Sequence, residues 1–411
     1  METYRRNHYV PKWFQKRFLT QDMLEQKFYY LDLKPACILS GNRKHHRKET
    51  LRWGPSNCFY EKDLYTTSLG NWNSTEIEQK FFGKVDSLGS YGVDYFSSFQ
   101  HPSVDGKAFY SLLPYMSIQK MRTPKGLAYL SKLVQLEDKN LVLFKMQELQ
   151  QLFCALWTEC VWSIADASDS ETKFILSDHP VTVYNKGCFP GSRYCQGFND
   201  PEIWQSGTHT LFPLDLNKVL ILTNLSWVRD PHSNPLKLRP NPIPFRAAMF
   251  NFMEIQTQRK LSEVEVNEIN FIIKNRAYRY IAAKKEEWLY PERMIPTQMW
   301  DKLGRGYLLM PDPRSVVFSR DTTIGYKDKT ADRFDEYGRK PWQRGYDDKN
   351  QSEKEWETFL AFQGEFARMF GPKRRGRSFD AATLDNEEDS PDYHAYHLAL
   401  EARYRNRHGK K

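Results

Sequence analysis

Apolar residues along the chain recur at two spacings, and each spacing predicts its own kind of element. Ile77, Phe81, Val85 and Leu88 fall three or four apart, which predicts a helix from Thr75 to Leu88 that Gly89 stops. Residues Asn140 to Trp162 read as one long helix, with Leu143, Met146, Leu149, Leu152, Phe153, Leu156 and Trp157 along a broad face. A third helix is predicted from Ser262 to Trp288. Ser262 and Glu265 are spaced as a capping box, and Val264, Ile269, Ile272, Ile273 and Ala277 supply its buried stripe. Short apolar or aromatic runs bounded by turn residues predict strands at Phe28–Asp32, Phe174–Leu176, Val181–Tyr184, Thr210–Phe212 and Val219–Leu222. Asn57 to Tyr65 fits either strand or turn. Gly187 to Gly207, rich in Gly, Asn, Asp and Pro, predicts a long loop of the kind that often carries function, and five prolines between Trp227 and Phe245 mark an extended linker.

Helices on either side of a cluster of short strands predict an α+β fold: a short, mostly antiparallel sheet packed by long helices. Beyond Tyr290 the periodicity is lost, and Gly and Pro break a charged, aromatic stretch. Only a helix near 352–370 and an acidic run from Leu384 to Asp392 stand out there. This places a main domain at 1–288 and a carboxyl-terminal mixed extension with a charged tail at 289–411. The 15% aromatic content excludes a mostly disordered chain, because disordered sequences lack the large apolar side chains that offset ordering entropy. No run approaches the roughly 18 consecutive apolar residues of a membrane span, and the charged amino terminus lacks the apolar core of a signal peptide. Six scattered cysteines, none in a Cys-x-x-Cys pair, argue against a structural zinc site and for free thiols in a reducing cytoplasm.

Charge changes the picture next. The chain carries 60 Lys plus Arg against 51 Asp plus Glu, a net of +9. Residues 1–53 hold 12 of those cations and 5 of the acids, so they supply 12 − 5 = +7 of it. The densest run is Asn42 to Lys48, which follows Ser40-Gly41 as an exposed loop would. Arg43, Lys44, Arg47 and Lys48 are therefore the candidate nucleic-acid contacts. Two further patches lie at Lys373 to Arg377 and around Arg403, Arg405 and Arg407. Clustered cations favour polyanions by releasing condensed counterions, which points to nucleic acid; a solvated basic loop without a ligand is the competing reading.

Three short signatures stand together in order. The first is His8-Tyr9-Val10-Pro11, followed by Trp13, Phe14 and Phe18; the second is Ser74-Thr75-Glu76-Ile77-Glu78. The third is Ser177-Asp178-His179-Pro180, followed by Phe212-Pro213-Leu214 and a helix with Asn270, Arg276, Ala277 and Tyr280. This order resembles the domain-of-unknown-function family 4238 over roughly residues 7–285. The resemblance implies a shared fold and marks His8, Pro11, Glu78, Ser177, Asp178 and Pro180 as positions of interest, without bringing a reaction.

An imidazole and two carboxylates form a minimal acid–base set, so His8, Glu78 and Asp178 are the candidate catalytic residues. Glu78 and Asp178, with Asp86 or His179, are also candidate ligands of a divalent metal that would activate water against a phosphodiester. On this reading the protein is a nucleic-acid-acting hydrolase, and a defence or toxin effector is one setting for such an enzyme. A non-catalytic nucleic-acid-binding module, with Tyr29, Tyr30 or Trp53 stacking on bases, and a protein-interaction scaffold are the alternatives. Each position has a structural reading as well. Thr75-x-x-Glu78 is a capping box, Ser177-Asp178-x-Pro180 is turn chemistry, and His8 beside Trp and Phe is a core histidine. The usual signatures of phosphate-loop ATPases, dinucleotide oxidoreductases, zinc proteases and serine esterases are missing from the chain.

Overall fold

The computed structural model describes residues 6–19, 26–40, 43–46, 48–69, 72–101, 103–195, 200–203, 205, 208–223, 250, 252, 255–304, 321–325, 329–335, 340–350, 353 and 399. The linker at 227–245, the acidic run at 384–392, both tail patches and, apart from Glu353, the helix expected at 352–370 lie outside them. The amino-terminal part begins with strand β1 (Arg6–His8) and helix α1 (Lys12–Lys16). Strands β2 (Phe28–Asp32), β3 (Cys37–Ser40), β4 (Arg43–His46), β5 (Thr50–Trp53), β6 (Tyr60–Lys62), β7 (Thr67–Leu69) and β8 (Trp72–Ser74) follow. A helical block comes next, with α2 (Gly83–Ser97), α3 (Gly106–Met121), α4 (Pro124–Val134), α5 (Lys139–Glu148) and α6 (Cys154–Glu159). The chain then returns to strands β9 (Val161–Asp166), β10 (Leu176–Ser177), β11 (Thr182–Tyr184), β12 (His209–Pro213), β13 (Lys218–Thr223) and β14 (Gln256–Lys260). Helix α7 (Glu263–Arg276), strand β15 (Tyr280–Ala283) and a distal hairpin of β16 (Asp321–Gly325) and β17 (Ala331–Asp335) complete the described elements.

The fold is α+β, as the pattern predicts. One sheet has the order β11–β12–β13–β9–β14, antiparallel except where β14 runs parallel to β9. Its central strands are buried on both faces, which explains their continuous apolar runs. The second sheet, β10–β15–β2–β5, is antiparallel throughout and joins the amino-terminal segment to the end of α7. Aromatic side chains tie the layers: Phe14 of α1 stacks on Phe212 of β12 at 5.3 Å, and Trp157 Nε1 donates to Thr210 Oγ1 at 3.0 Å.

Three expected helices end elsewhere than the pattern placed them. The helix at 75–88 opens as a π-helical turn, Ile77–Phe82, and runs on through Gly89 to Ser97. Gly89 is there for close approach: a Cβ on it would overlap the Tyr115 ring of α3. The long helix at 140–162 is two shorter ones with turns between, and its last residues enter β9, held by β13 and β14 on either side. The helix at 262–288 keeps its predicted capping box but stops at Arg276, and Tyr280–Ala283 becomes a strand between β2 and β10. The basic run at 42–48, expected as a loop, contributes Arg43–His46 to a hairpin with β3. Asn57–Tyr65 holds both strand and turn. The apolar core also passes residue 288, because Leu289, Trp300 and Leu303 are buried in it and Tyr184 donates its hydroxyl to the Trp300 and Leu303 carbonyls. All six cysteines are free.

Candidate functional site: a lysine-lined cleft over a buried charge network

The three candidate catalytic residues occupy separate environments. His8 and Asn7 are neighbours on β1, so their side chains leave opposite faces of the strand. His8 turns to the Ser56 carbonyl, at 3.3 Å, and to the Tyr60 ring. Burial, with Lys12 nearby, pushes its imidazole down to about 4. Asn7 is fully buried on the other side, where it donates to Glu78 and accepts from the Tyr65 amide at 3.2 Å. Glu78 therefore clips β1 to the start of the α2 helical run, instead of closing the capping box that its spacing suggests. Burial raises its carboxyl to about 7, against the opposing pull of the Asn7 bond and of Arg122.

Asp178 is buried, and both of its oxygens are taken by backbone. Oδ1 accepts from the Tyr278 amide at 2.8 Å, and Oδ2 accepts from the Arg279 and Tyr280 amides at 2.7 and 2.8 Å. It caps the turn that leads out of α7, a bond across about a hundred residues where the local reading expected an Asx turn. Ser177 does make the local turn bond, accepting from the His179 amide at 3.2 Å. Among the described residues no group of three or more His, Cys, Asp or Glu is placed to hold a metal ion, and the Asp178 oxygens are taken by backbone amides while Glu78 is bonded to Asn7.

What draws the three signatures together is a segment that sequence reasoning passed over, the junction of α3 and α4. Gln119, Lys120, Arg122, Thr123 and Lys125 are all buried there, an unusual density of polar groups that only hydrogen bonding and charge pairing can sustain. The chain turns sharply at this junction because Thr123 caps α4 through its hydroxyl and Pro124 opens it, while Gly126 has no room for a Cβ against the carbonyls of Lys120 and Met121. On one side Arg122 reaches the first signature and the helix that follows the second. Its Nε donates to the Tyr9 carbonyl at 3.1 Å, and its Nη1 and Nη2 donate to Asp86 at 2.7 and 3.4 Å. Gln119 Nε2 meets the same Tyr9 carbonyl at 2.8 Å.

On the other side the two lysines reach the third signature. Asp200, from the long loop, accepts from Lys120 Nζ at 3.0 Å and from Lys125 Nζ at 2.7 Å. His179 Nε2 lies 3.2 Å from Asp200 Oδ2, and its Nδ1 lies 2.8 Å from the Thr123 hydroxyl. Burial opposes ionising Asp200, but the two ammonium groups outweigh it and hold the carboxyl well below its usual range. Burial and the adjacent Lys120 push His179 down to about 3, so it stays neutral. Lys125, which also donates to the Arg276 carbonyl at 2.6 Å, is pushed down to about 8 by burial, with Asp200 pulling back. A cavity of about 20 Å³ beside this network has room for one water.

The depressed His179 links stability to pH with a definite sign. The unfolded imidazole takes its proton near 6.5 and the native one near 3, so the native state loses ground as pH falls through that window. By pH 5 this amounts to about 2 kcal/mol. Glu78, raised to about 7, acts in the opposite direction as pH rises from 4.5. Urea unfolding at pH 7 and pH 5 of the wild type and His179→Gln isolates the histidine. The variant is expected to lose about 2 kcal/mol less over that interval, and equal losses would rule the linkage out.

Lys125, though buried, also borders a second space. It lies in the wall of a cleft of about 450 Å³, together with Lys34, Lys274, Glu292, Phe271 and Tyr278. That size is within the usual range for small-molecule sites, about 300–1,000 Å³. Lys34 Nζ stands 4.9 Å over the ring of Tyr278, and that ring is 46% exposed. Lys274 is braced by Glu292 at 2.9 Å and by the Leu289 carbonyl at 2.7 Å. Lys125 is buried and paired with Asp200, and Lys274 is paired with Glu292, so Lys34 is the cation of the lining that neither carboxylate takes up, and the Tyr278 and Phe271 rings give the cleft an apolar side. Asp178 shapes the wall from below by holding the amides of 278–280.

A family model described as "Protein of unknown function (DUF4238)" matches residues 6–153 and 137–287, a span that takes in β1, the α3–α4 junction, Asp178, Asp200 and Tyr278. The chain belongs to this family. Neither the comparison with curated proteins nor that with solved structures gave a match. The family span thus covers both buried networks and most of the cleft, while Glu292 lies just past it.

Of the candidate nucleic-acid contacts, Arg43 and Lys44 lie on β4, Lys48 is exposed at the hairpin's base, and Arg47 lies outside the described residues. Tyr30 is not available for stacking: it is buried between Trp53 and Tyr280, at 5.5 and 5.0 Å. Lys120, Arg122, Lys125, Asp200, Lys274 and Tyr278 were missed. The one signal for the junction was Arg122-Thr123-Pro124-Lys125, since Thr followed by Pro marks a helix start and sets charged residues beside it.

Proposed function

We propose that this protein binds a phosphate-bearing ligand of nucleotide size in the cleft, with Lys34 on the phosphate and Tyr278 under the base. The observation that carries the proposal is the Lys34 ammonium beside an exposed aromatic ring, Tyr278, at the mouth of a cleft whose other two lysines are each paired with a carboxylate. Ammonium groups act as point charges that suit phosphate, and every base has a face that stacks on a tyrosine. Such a ligand is a component of nucleic acid, which agrees with the basic balance of the chain. Hydrolysis by His8, Glu78 and Asp178 does not follow from the geometry, because those groups hold backbone or each other's neighbours and do not face a common space. The long loop contributes through Asp200, which holds Lys125 in the buried network behind the wall.

Calorimetric titration of the full chain with nucleoside monophosphates tests the proposal, with the corresponding nucleosides as controls. The monophosphates are expected to bind and the nucleosides to bind much more weakly. Tyr278→Ala removes a stacking contact worth about 1–3 kcal/mol, which is roughly 5- to 150-fold in affinity. Lys34→Ala, also at the rim, is expected to weaken binding and to flatten its dependence on salt. Neither residue supports the core, so both variants keep the wild-type unfolding midpoint. Equal affinity for nucleoside and monophosphate would refute the assignment.

A further inference from the structure

The walls of the cleft differ in what they still have to give a ligand. The Lys274 ammonium has three N–H donors, and the Leu289 carbonyl and the two Glu292 oxygens take them at 2.7, 2.9 and 3.1 Å. Lys125 is held by Asp200 and by the Arg276 carbonyl at 2.7 and 2.6 Å. The amide NH₂ groups of the lining are engaged in the same manner. Asn275 Nδ2 donates to the Phe271 carbonyl at 2.9 Å, and Gln298 Nε2 donates to the Glu292 carbonyl at 3.3 Å. Lys34 is the cation left for an anion, as the phosphate reading requires.

Gln298 offers the opposite chemistry. A carbonyl can only accept, so the bond to Glu292 fixes which way round the Gln298 amide sits and leaves Oε1 as its open end. Gln298 lines the cleft and is exposed, and among the described residues its Oε1 has no partner. The backbone around it is anchored. The Met299 amide donates to the Thr297 hydroxyl at 3.2 Å, and Trp300, buried next along the chain, donates its Nε1 to the Asn185 carbonyl at 2.9 Å. Glu292 sits in a short helical turn, Pro291–Arg293, which the Arg293 amide closes on the Tyr290 carbonyl at 3.1 Å. Both residues follow the end of the family match at residue 287, whereas Lys34, Phe271 and Tyr278 lie inside it. The family span thus carries the cation and the stacking ring, and the segment after it carries the acceptor.

We infer that the base held in the cleft carries an exocyclic amino group that donates to Gln298 Oε1, so that Gln298 selects amino bases such as adenine and cytosine over their keto counterparts. The inference rests on the cleft reading above and adds the identity of the base. An ionised phosphate is an acceptor and belongs with Lys34. A base lying on Tyr278 turns its edge to the walls around it, and the amino group of adenine or cytosine is a donor on that edge. Hypoxanthine and uracil place a carbonyl oxygen at the same position. Oxygen set against Oε1 loses the bond and adds repulsion, and at an exposed rim, where water relieves part of the loss, the difference is about tenfold in affinity.

Calorimetric titration of the full chain tests this with two pairs, adenosine against inosine monophosphate and cytidine against uridine monophosphate. Within each pair the phosphate, the size and the stacking face are alike. The amino member is expected to bind about tenfold more tightly than its keto counterpart. In Gln298→Ala the two members of a pair are expected to bind equally, and the exposed position keeps the unfolding midpoint at the wild-type value. Equal or reversed affinities in a pair that the wild type binds overturn the inference and leave the cleft reading standing. So does a Gln298→Ala variant that weakens both members alike, which would put the contact on the ribose. If no monophosphate binds, both readings fall.

Discussion

Asp178→Ala is expected to remove a large share of the chain's stability. Three backbone amides, those of Tyr278, Arg279 and Tyr280, donate to this one carboxylate. A buried donor left without a partner costs about 1–3 kcal/mol, so the substitution removes about 3–6 kcal/mol after partial rescue by water at the exposed Tyr278. Domains are stable by only about 5–15 kcal/mol in total. Asp178→Asn is the informative companion. It keeps one oxygen for two of the amides and turns an NH₂ group toward the third, so it should lose roughly half as much. A catalytic Asp178 predicts the reverse, an Asn variant with full stability and no turnover. Chemical denaturation of the two variants decides between these roles, and an Asp178→Asn midpoint equal to that of the wild type would defeat the anchoring account.

The second large effect belongs to Arg122. Its side chain is 1% exposed and pairs with Asp86 through both terminal nitrogens while bonding the Tyr9 carbonyl. Breaking a fully buried ion pair from one side costs about 3–5 kcal/mol, and Asp86, with a quarter of its side chain exposed, brings the expected loss toward the lower end of that range. Arg122→Ala should therefore shift the urea midpoint by a large fraction of the total stability. Arg122→Lys should recover little of it, because an ammonium cannot reproduce the forked contact with Asp86 and still reach Tyr9. Arg122→Leu combined with Asp86→Leu should be less damaging than Arg122→Ala alone, since it leaves no unpaired charge. If Arg122→Lys proves as stable as the wild type, the forked contact is not what holds β1 to the helices.

The secondary structure was legible where a local rule governs it. Ser262 and Glu265 cap α7 as their spacing announces, and three strands of the large sheet, β11, β12 and β13, lie where short apolar runs put them. It was illegible where a distant group overrides the local rule. Gly89 reads as a helix stop, but it continues α2 because Tyr115 needs the space. Ala277 to Tyr280 reads as helix, but it leaves α7 because Asp178 claims its amides. Val161 and Trp162 carry a helical apolar pattern and enter a strand because β13 and β14 are there to pair with them.

The signatures containing His8, Glu78 and Asp178 were visible as signatures, and they do mark positions on which the fold depends. Their grouping into one catalytic set was not recoverable from spacing. The strand alternation that parts His8 from Asn7 and the contact partners of Glu78 and Asp178 exist only once the chain is folded. Composition, the family, the α+β class and the cationic amino-terminal stretch followed from the order of residues alone, because each is a property of local pattern or simple sums. The cleft, its three lysines and the buried Lys120–Asp200–Lys125 network came from tertiary structure, because they join side chains from five separate segments. Burial then sets the charge on each, and no linear pattern encodes how much water a side chain will lose.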